Sequence, residues 1–331
     1  MMAFARSQMV LLIAAVLGSI LGASGANAQA SDYPNRIVTI VAPSAPGGLY
    51  SVLARLIATK LEERLKTTFI VENRPGAASI VGARYVARAN PDGYTLMVAT
   101  TSTLAVNQSM HRTLPYDPVK DFVPIAFIAR APEVLVVNAD LPIHSIADLA
   151  KAVKESPGKL TYASAGIGTA QHLEGELLQQ VLGISMTHIP YRGAINALSD
   201  VAAGHVSMMF TPIPNGLGMI QSGKVRPIGL ATLDKISVLP DLKPLAELGV
   251  DKFNADSWFM LVAPAKTPPA TVEFLRKQLT DITSEPAYLK FLSEQGLVAK
   301  PGLSVDELRA LIDEETKHWR EVIEKAGISP M

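Results

Sequence analysis

The stretch Ile37-Val38-Thr39-Ile40-Val41-Ala42-Pro43-Ser44-Ala45-Pro46-Gly47-Gly48-Leu49-Tyr50-Ser51-Val52-Leu53 decides the fold class. Its first five residues are all β-branched, which suits a buried strand. Proline and glycine then break the run, and Val52, Leu53, Leu56, Ile57, Leu61 and Leu65 recur at helical spacing. A strand feeding a glycine loop and then a helix is the unit of an α/β protein with mainly parallel sheets.

The unit recurs outward from there. Thr68 to Val71 reads as a strand, Asn73-Arg74-Pro75-Gly76 as a turn, and the chain through Val81, Tyr85 and Val86 as a helix. Pro91-Asp92-Gly93 is a turn before a buried strand at Tyr94 to Ala99. Lys159 to Ala163, the loop Ser164-Ala165-Gly166-Ile167-Gly168-Thr169 and a helix from Gln171 to Leu182 form a second copy of the opening pattern. Two extended apolar passages, Val134 to Val137 and Trp258 to Ala263, are bounded by prolines and read as crossovers between lobes. One lobe is then expected at 31–128 plus 255–331 and the other at 129–254. Ser304 and Glu307 form a capping box at the start of a C-terminal helix.

Composition narrows the function. The 331 residues carry 30 basic and 30 acidic side chains, so no basic surface for sequence-independent nucleic-acid binding is implied. Arg6, the apolar run Met9 to Leu21 and Ala26-Asn27-Ala28 predict a signal peptide over residues 1–28 and hence a periplasmic protein. With no cysteine, neither disulfides nor thiolate metal sites are available to the exported fold. The six histidines lack metal-ligand spacing, and no metal site is expected.

The chemistry points to an anion. Gly47 and Gly48 let a ligand approach backbone N–H groups at a helix N-terminus. The second loop offers the same geometry through Ala165, Gly166 and Gly168. Ser164 and Thr169 add hydroxyls there, and His172 lies in the first helical turn. Thr101 and Ser102 follow a strand, where ligands bind in open α/β sheets. Arg192 is a candidate bidentate partner for a second carboxylate, Thr211 follows the strand Val206 to Phe210, and Tyr50, Ser51 and Phe210 complete the candidate set. Ser164 lacks the glycine two residues upstream that a nucleophile elbow requires, and Gly166-Ile167-Gly168-Thr169-Ala170-Gln171 lacks the third glycine of a dinucleotide fingerprint. No cofactor is therefore expected. A hydrolase built on Ser164 and His172 remains as an alternative class.

At these residues the chain closely resembles the periplasmic receptors of tripartite tricarboxylate transporters, the Bug or TctC family. The resemblance rests on Tyr33-Pro34-Asn35-Arg36, Ala45-Pro46-Gly47-Gly48, Val71-Glu72-Asn73-Arg74-Pro75-Gly76-Ala77, Pro91-Asp92-Gly93-Tyr94-Thr95-Leu96, Tyr162-Ala163-Ser164-Ala165-Gly166 and His188-Ile189-Pro190-Tyr191-Arg192-Gly193. It implies a two-lobed, type II periplasmic binding protein, a Venus flytrap whose Gly47, Gly48, Ser164, Ala165, Gly166 and Thr169 grip a small organic carboxylate. It also implies a non-enzymatic monomer that delivers ligand to integral membrane subunits of the TctA and TctB type. A periplasmic sensor that presents ligand to a signalling receptor is the alternative. Where many members carry an acid after the glycine pair this chain has Ser51, and no acid occurs from Leu49 to Lys60. An ammonium group would go unbalanced there, so dicarboxylates or aromatic carboxylates are expected over amino acids.

Overall fold

The computed structural model describes residues 33–251 and 253–331. The expected signal peptide, with its cleavage motif, lies outside the described residues. Nine strands and ten α-helices are named here, in chain order. They are β1 Val38–Ala42, α1 Leu49–Leu65, β2 Phe69–Asn73, α2 Ile80–Ala87, β3 Thr95–Thr100, α3 Asn107–Met110, β4 Phe122–Asn138, α4 Ile146–Glu155, β5 Thr161–Ser164 and α5 Ala170–Leu182. There follow β6 Thr187–Pro190, α6 Ala194–Ala202, β7 Met208–Pro212, α7 Ile213–Gln221, β8 Val225–Leu230, β9 Asp256–Pro264, α8 Pro269–Thr283, α9 Pro286–Glu294 and α10 Val305–Lys325.

The strands join in the order β2-β1-β3-β9-β4-β7-β5-β6, with β8 also pairing β4. The pairs β1–β2, β1–β3, β5–β6 and β5–β7 are parallel, whereas β9 and β4 run antiparallel to their neighbours. This is the α/β class that the repeated strand-loop-helix units imply, with a sheet that is mixed because β4 and β9 run antiparallel to their neighbours. Strand β4 is the pivot. Its residues up to Pro132 pair with β9, and from Glu133 onward they pair with β7 and β8.

The sequence reading finds only Val134 to Val137 of this strand, because prolines interrupt the run. In the structure β4 extends over 17 residues. Pro124 sits at a register shift and Pro132 at the change of partner, the places where a missing N–H costs a sheet least. Trp258 to Ala263 likewise falls inside β9.

Packing follows the helical spacing. Leu53, Ile57 and Leu61 of α1 are fully buried, each contributing about 1.5–3 kcal/mol relative to exposure. Ser304 accepts from the Glu307 N–H while the Glu307 carboxylate accepts from the Ser304 N–H, closing the expected capping box on α10. Helix α5 approaches β5 so closely that a Cβ on Gly175 would stand 2.3 Å from Cε2 of Tyr162. Tyr162 is itself fully buried and donates to Glu176, so it has no room to yield.

Gly175→Ala is expected to lower the unfolding free energy by about 1–3 kcal/mol through overpacking, read in denaturant melts. A neutral effect would mean that α5 can shift away from the sheet.

Candidate functional site

The first loop opens α1. Gly47 has φ +88°, a conformation that L side chains rarely adopt, and Gly48 is the N-cap of α1 in an extended conformation with no side chain to cap it. The Leu49 and Tyr50 N–H groups have no acceptor within the helix, whereas the Ser51 N–H already donates to the Gly48 carbonyl at 3.0 Å. Tyr50 lies against the sheet: its hydroxyl is 3.2 Å from Thr100 Oγ1, and its ring meets Phe259 edge to face at 5.1 Å. Burial raises the Tyr50 pKa, so this hydroxyl stays protonated. Ser51 is fully buried, and its Oγ accepts from Asn73 Nδ2 at 2.6 Å, tying α1 to the end of β2.

The second loop opens α5 in the same way and is wired more tightly. The Gly166 carbonyl accepts from Ser164 Oγ at 3.0 Å, Thr169 Oγ1 at 2.7 Å and the Thr169 N–H at 3.2 Å. Both hydroxyls expected to face a ligand are thus turned into the loop. Gly166 (φ +138°) and Gly168 (φ +79°) supply the backbone shape, and a Cβ on Gly166 would crowd the Tyr191 carbonyl at 3.3 Å. His172, in the first helical turn, is buried and packed on His188, and its Nδ1 accepts from the Gly168 N–H at 3.3 Å.

His188, absent from the expected set, completes the wiring. Its Nε2 is 2.7 Å from Ser164 Oγ, and its ring stacks between Tyr162 and His172, with centroids at 4.7 and 4.3 Å. Ser164 Oγ is thus shared among the Gly166 carbonyl, the Gly166 N–H and His188 Nε2. Burial first, and neighbouring His172 second, push the His188 pKa down to about 4. The imidazole is therefore neutral at pH 7. The partners are 24 residues apart, which hides the pair from local pattern reading.

Between the loops lies an element that the sequence reading treats as a plain turn. Gly76, Ala77, Ala78 and Ser79 all have positive φ, from +46° to +130°. Such a run of non-glycine residues is strained. Asn107 Nδ2 donates to the Ala78 carbonyl, and Ser79 Oγ lies 2.8 Å from Thr103 Oγ1. Thr103 belongs to a π-helical turn, Ser102–Val106, that follows β3. A Cβ on Gly168 would lie 3.9 Å from Ala78 Cβ, so the second loop closes against this turn. The run of small residues after Pro75 is the signal for it.

The remaining candidates have other positions. Thr101 and Ser102 are buried, and Thr101 Oγ1 accepts from the Trp258 N–H at 3.1 Å. Phe210, expected as an aromatic ligand contact, is instead fully buried in the core and stacked on Phe253 at 5.4 Å. Both faces of β7 are buried, so none of its side chains reaches a surface. Thr211 is also fully buried, and its hydroxyl oxygen has no hydrogen-bond partner. Arg192 is exposed beyond β6. Among the described residues no cluster of three or more His, Asp or Glu could hold a metal ion.

Beneath α5, at the point where β4 changes partner, lie three acids. Glu133 and Glu174 are fully buried, and Glu133 Oε1 accepts from Gln171 Nε2 at 2.6 Å and Ser257 Oγ at 2.8 Å. Asp256 faces Arg130 Nε at 2.7 Å. Burial pushes the Glu133 and Asp256 carboxyls up to about 7. Glu174 is raised well above the usual range by burial and then by the charge of Glu133.

These carboxyls hold protons in the fold that the unfolded chain has released, so their contribution to stability diminishes as pH rises from about 4.5 to about 7. Unfolding free energy is expected to fall across that window by up to about 1.4 kcal/mol per pH unit for each proton concerned. Denaturant melts from pH 5 to 8 measure it, with Glu174→Gln giving a shallower slope. A flat or rising wild-type curve would contradict the shared burial.

The match to the model of the tripartite tricarboxylate transporter family receptor, TctC, covers residues 53–328. Among solved structures, an R. palustris protein with adipate, Rpa4515, is 34% identical with a TM-score of 0.87 over 91% of this chain and all of that one. The periplasmic binding protein BugD is 32% identical with a TM-score of 0.84, over 90% of this chain and all of its own. MatC of Rhodopseudomonas palustris with bound malate is 29% identical with a TM-score of 0.82, over 88% of this chain and all of its own. The chain, with its glycine loops at two helix N-termini, belongs to the TctC family of periplasmic binding proteins, which bind solutes and are not enzymes.

Proposed function

We propose that this chain captures a small dicarboxylate between two lobes and delivers it to the membrane subunits of a tripartite transporter. The observation that carries the reading is the pair of glycine loops at the N-termini of α1 and α5, each following the carboxyl end of a parallel strand. Backbone N–H groups and the positive ends of two helices would each receive a carboxylate without a buried counter-ion. The adipate and malate in two relatives have that bipolar chemistry.

Closure would pivot on β4, whose change of partner at Pro132 and Glu133 falls a few residues past the boundary expected between 31–128 plus 255–331 and 129–254. The loop wiring supports a preorganised seat. With Ser164 and Thr169 held on Gly166, the contacts left for the ligand are backbone amides and waters bound to them. Selection against amino acids follows from the first loop. Ser51 is neutral and held by Asn73, and no acid occurs from Leu49 to Lys60 to balance an ammonium.

A thermal-shift and calorimetry screen of the mature protein is expected to find dicarboxylates such as adipate or malate stabilising it, by about 2.7 kcal/mol at a hundredfold excess over Kd. Amino acids are expected to have no effect. Tight binding of an amino acid with none of simple dicarboxylates would refute the specificity. Gly48→Asp tests the seat, because Asp suits the extended N-cap and should preserve or improve stability. It also puts a carboxylate where the ligand's would lie, so affinity should drop at least about a hundredfold, a loss of about 2.7 kcal/mol. Unchanged affinity would move the site elsewhere.

A further inference from the structure

A concave surface lies away from the glycine loops and includes none of their residues. It is an open groove of about 610 Å³ between α2 and the starts of β1 and β3. Arg36, Arg74, Arg84 and Arg88 line it together with Tyr85 and Tyr94. The Arg36 guanidinium stacks over the Tyr94 ring at 3.8 Å and that of Arg74 over Tyr85 at 3.5 Å. Asp92 pairs with Arg36 at 2.7 Å and Glu72 with Arg74 at 2.7 Å. Arg84 and Arg88 make no ion pair among the described residues, and both are exposed.

That arrangement is unfavourable for the isolated protein. Arg84 and Arg88 stand one helical turn apart, where like charges repel. The negative end of the α2 dipole accounts for one cation in its last turn, but not for four around one groove. In a chain with equal numbers of basic and acidic residues the surplus is local rather than a by-product of composition.

Three features define the complement. Unpaired guanidiniums call for carboxylates, which arginine grips bidentately. Ile37, Val81 and Tyr85 are 56%, 46% and 39% exposed and line the same groove, so the occupant brings apolar groups as well. Arginine and tyrosine with aliphatic neighbours is the make-up of a protein-binding hot spot. The groove is too open to enclose a small molecule, and no lysine lines it as a protruding contact for lipid headgroups.

We propose that this groove is a docking surface for an acidic, apolar-bearing polypeptide segment on the periplasmic side of the membrane transporter. The partner's location rests on the transport reading above, whereas the chemistry of the segment rests on the groove. Arg84 and Arg88 supply the attraction, and the two stacked arginines present a preformed face that loses little freedom on binding.

The test uses the mature protein, loaded with a dicarboxylate, and the transporter's membrane subunits in zwitterionic lipid nanodiscs. Binding by surface plasmon resonance is compared for wild type, R84E/R88E and a control, K290E, whose exposed lysine lies on α9. Empty nanodiscs containing phosphatidylglycerol form a parallel arm. The expected result is wild-type binding that weakens with salt, at least a tenfold loss in R84E/R88E, no loss in K290E and unchanged dicarboxylate affinity in all three. Undiminished binding by R84E/R88E, or no binding by ligand-loaded wild type, overturns the proposal. Equal arginine-dependent binding to empty anionic nanodiscs overturns it in favour of a lipid surface. Failure of the wild type to bind any carboxylate would instead sink the transport reading and is seen separately, in the calorimetry.

Discussion

One strand holds both ends of this protein together. β4 gives its first eleven residues to β9 and the rest to β7 and β8, so every element on either side is positioned relative to a single stretch of backbone. Pro132 is tolerated because it falls where one set of partners ends, and Glu133 follows at once, with its side chain turned into the interior. A buried carboxyl needs partners, and those available come from α5 and β9 through Gln171 and Ser257. The same residue that marks the change of sheet partner thereby fastens the second glycine loop's helix to the sheet.

The two loops at the N-termini of α1 and α5 have different support. The first relies on a bare helix N-terminus, with Tyr50 and Ser51 pinned to β3 and β2. The second is stiffened by a chain running from His188 through Ser164 to the Gly166 carbonyl. A neutral histidine, kept so by burial, suits a hydrogen-bonded scaffold of this kind. What resembles a serine and its base is a brace for a loop.

The fold was readable where local pattern suffices. Ile37 to Leu53 and Tyr162 to Leu182 state strand, loop and helix within a few residues of one another, and the capping box at Ser304 is equally local. The length of β4 was hidden because a proline in sequence reads as an end, and only the pairing shows that Pro124 and Pro132 sit at irregularities. The two candidate loops were legible as far as their backbone glycines. Their side-chain neighbours were not, since Ser164 with His188 and Ser51 with Asn73 meet across tertiary distances. Phe210 was misplaced for a related reason: its strand is apolar on both faces, so no alternation marks which side chains reach a surface.

The left-handed turn from Gly76 to Ser79 bears on the order of assembly. Three consecutive L-residues do not hold positive φ unaided. Asn107 and Thr103, which restrain the turn, reach it only after β3 and the π-helical turn beyond it have formed. Chain synthesis delivers the turn first and its restraints about 24 residues later. The surface against which the second glycine loop closes therefore stays unrestrained until the chain has passed Asn107, and an intermediate lacking β3 and the π-helical turn would leave that loop without its opposing wall.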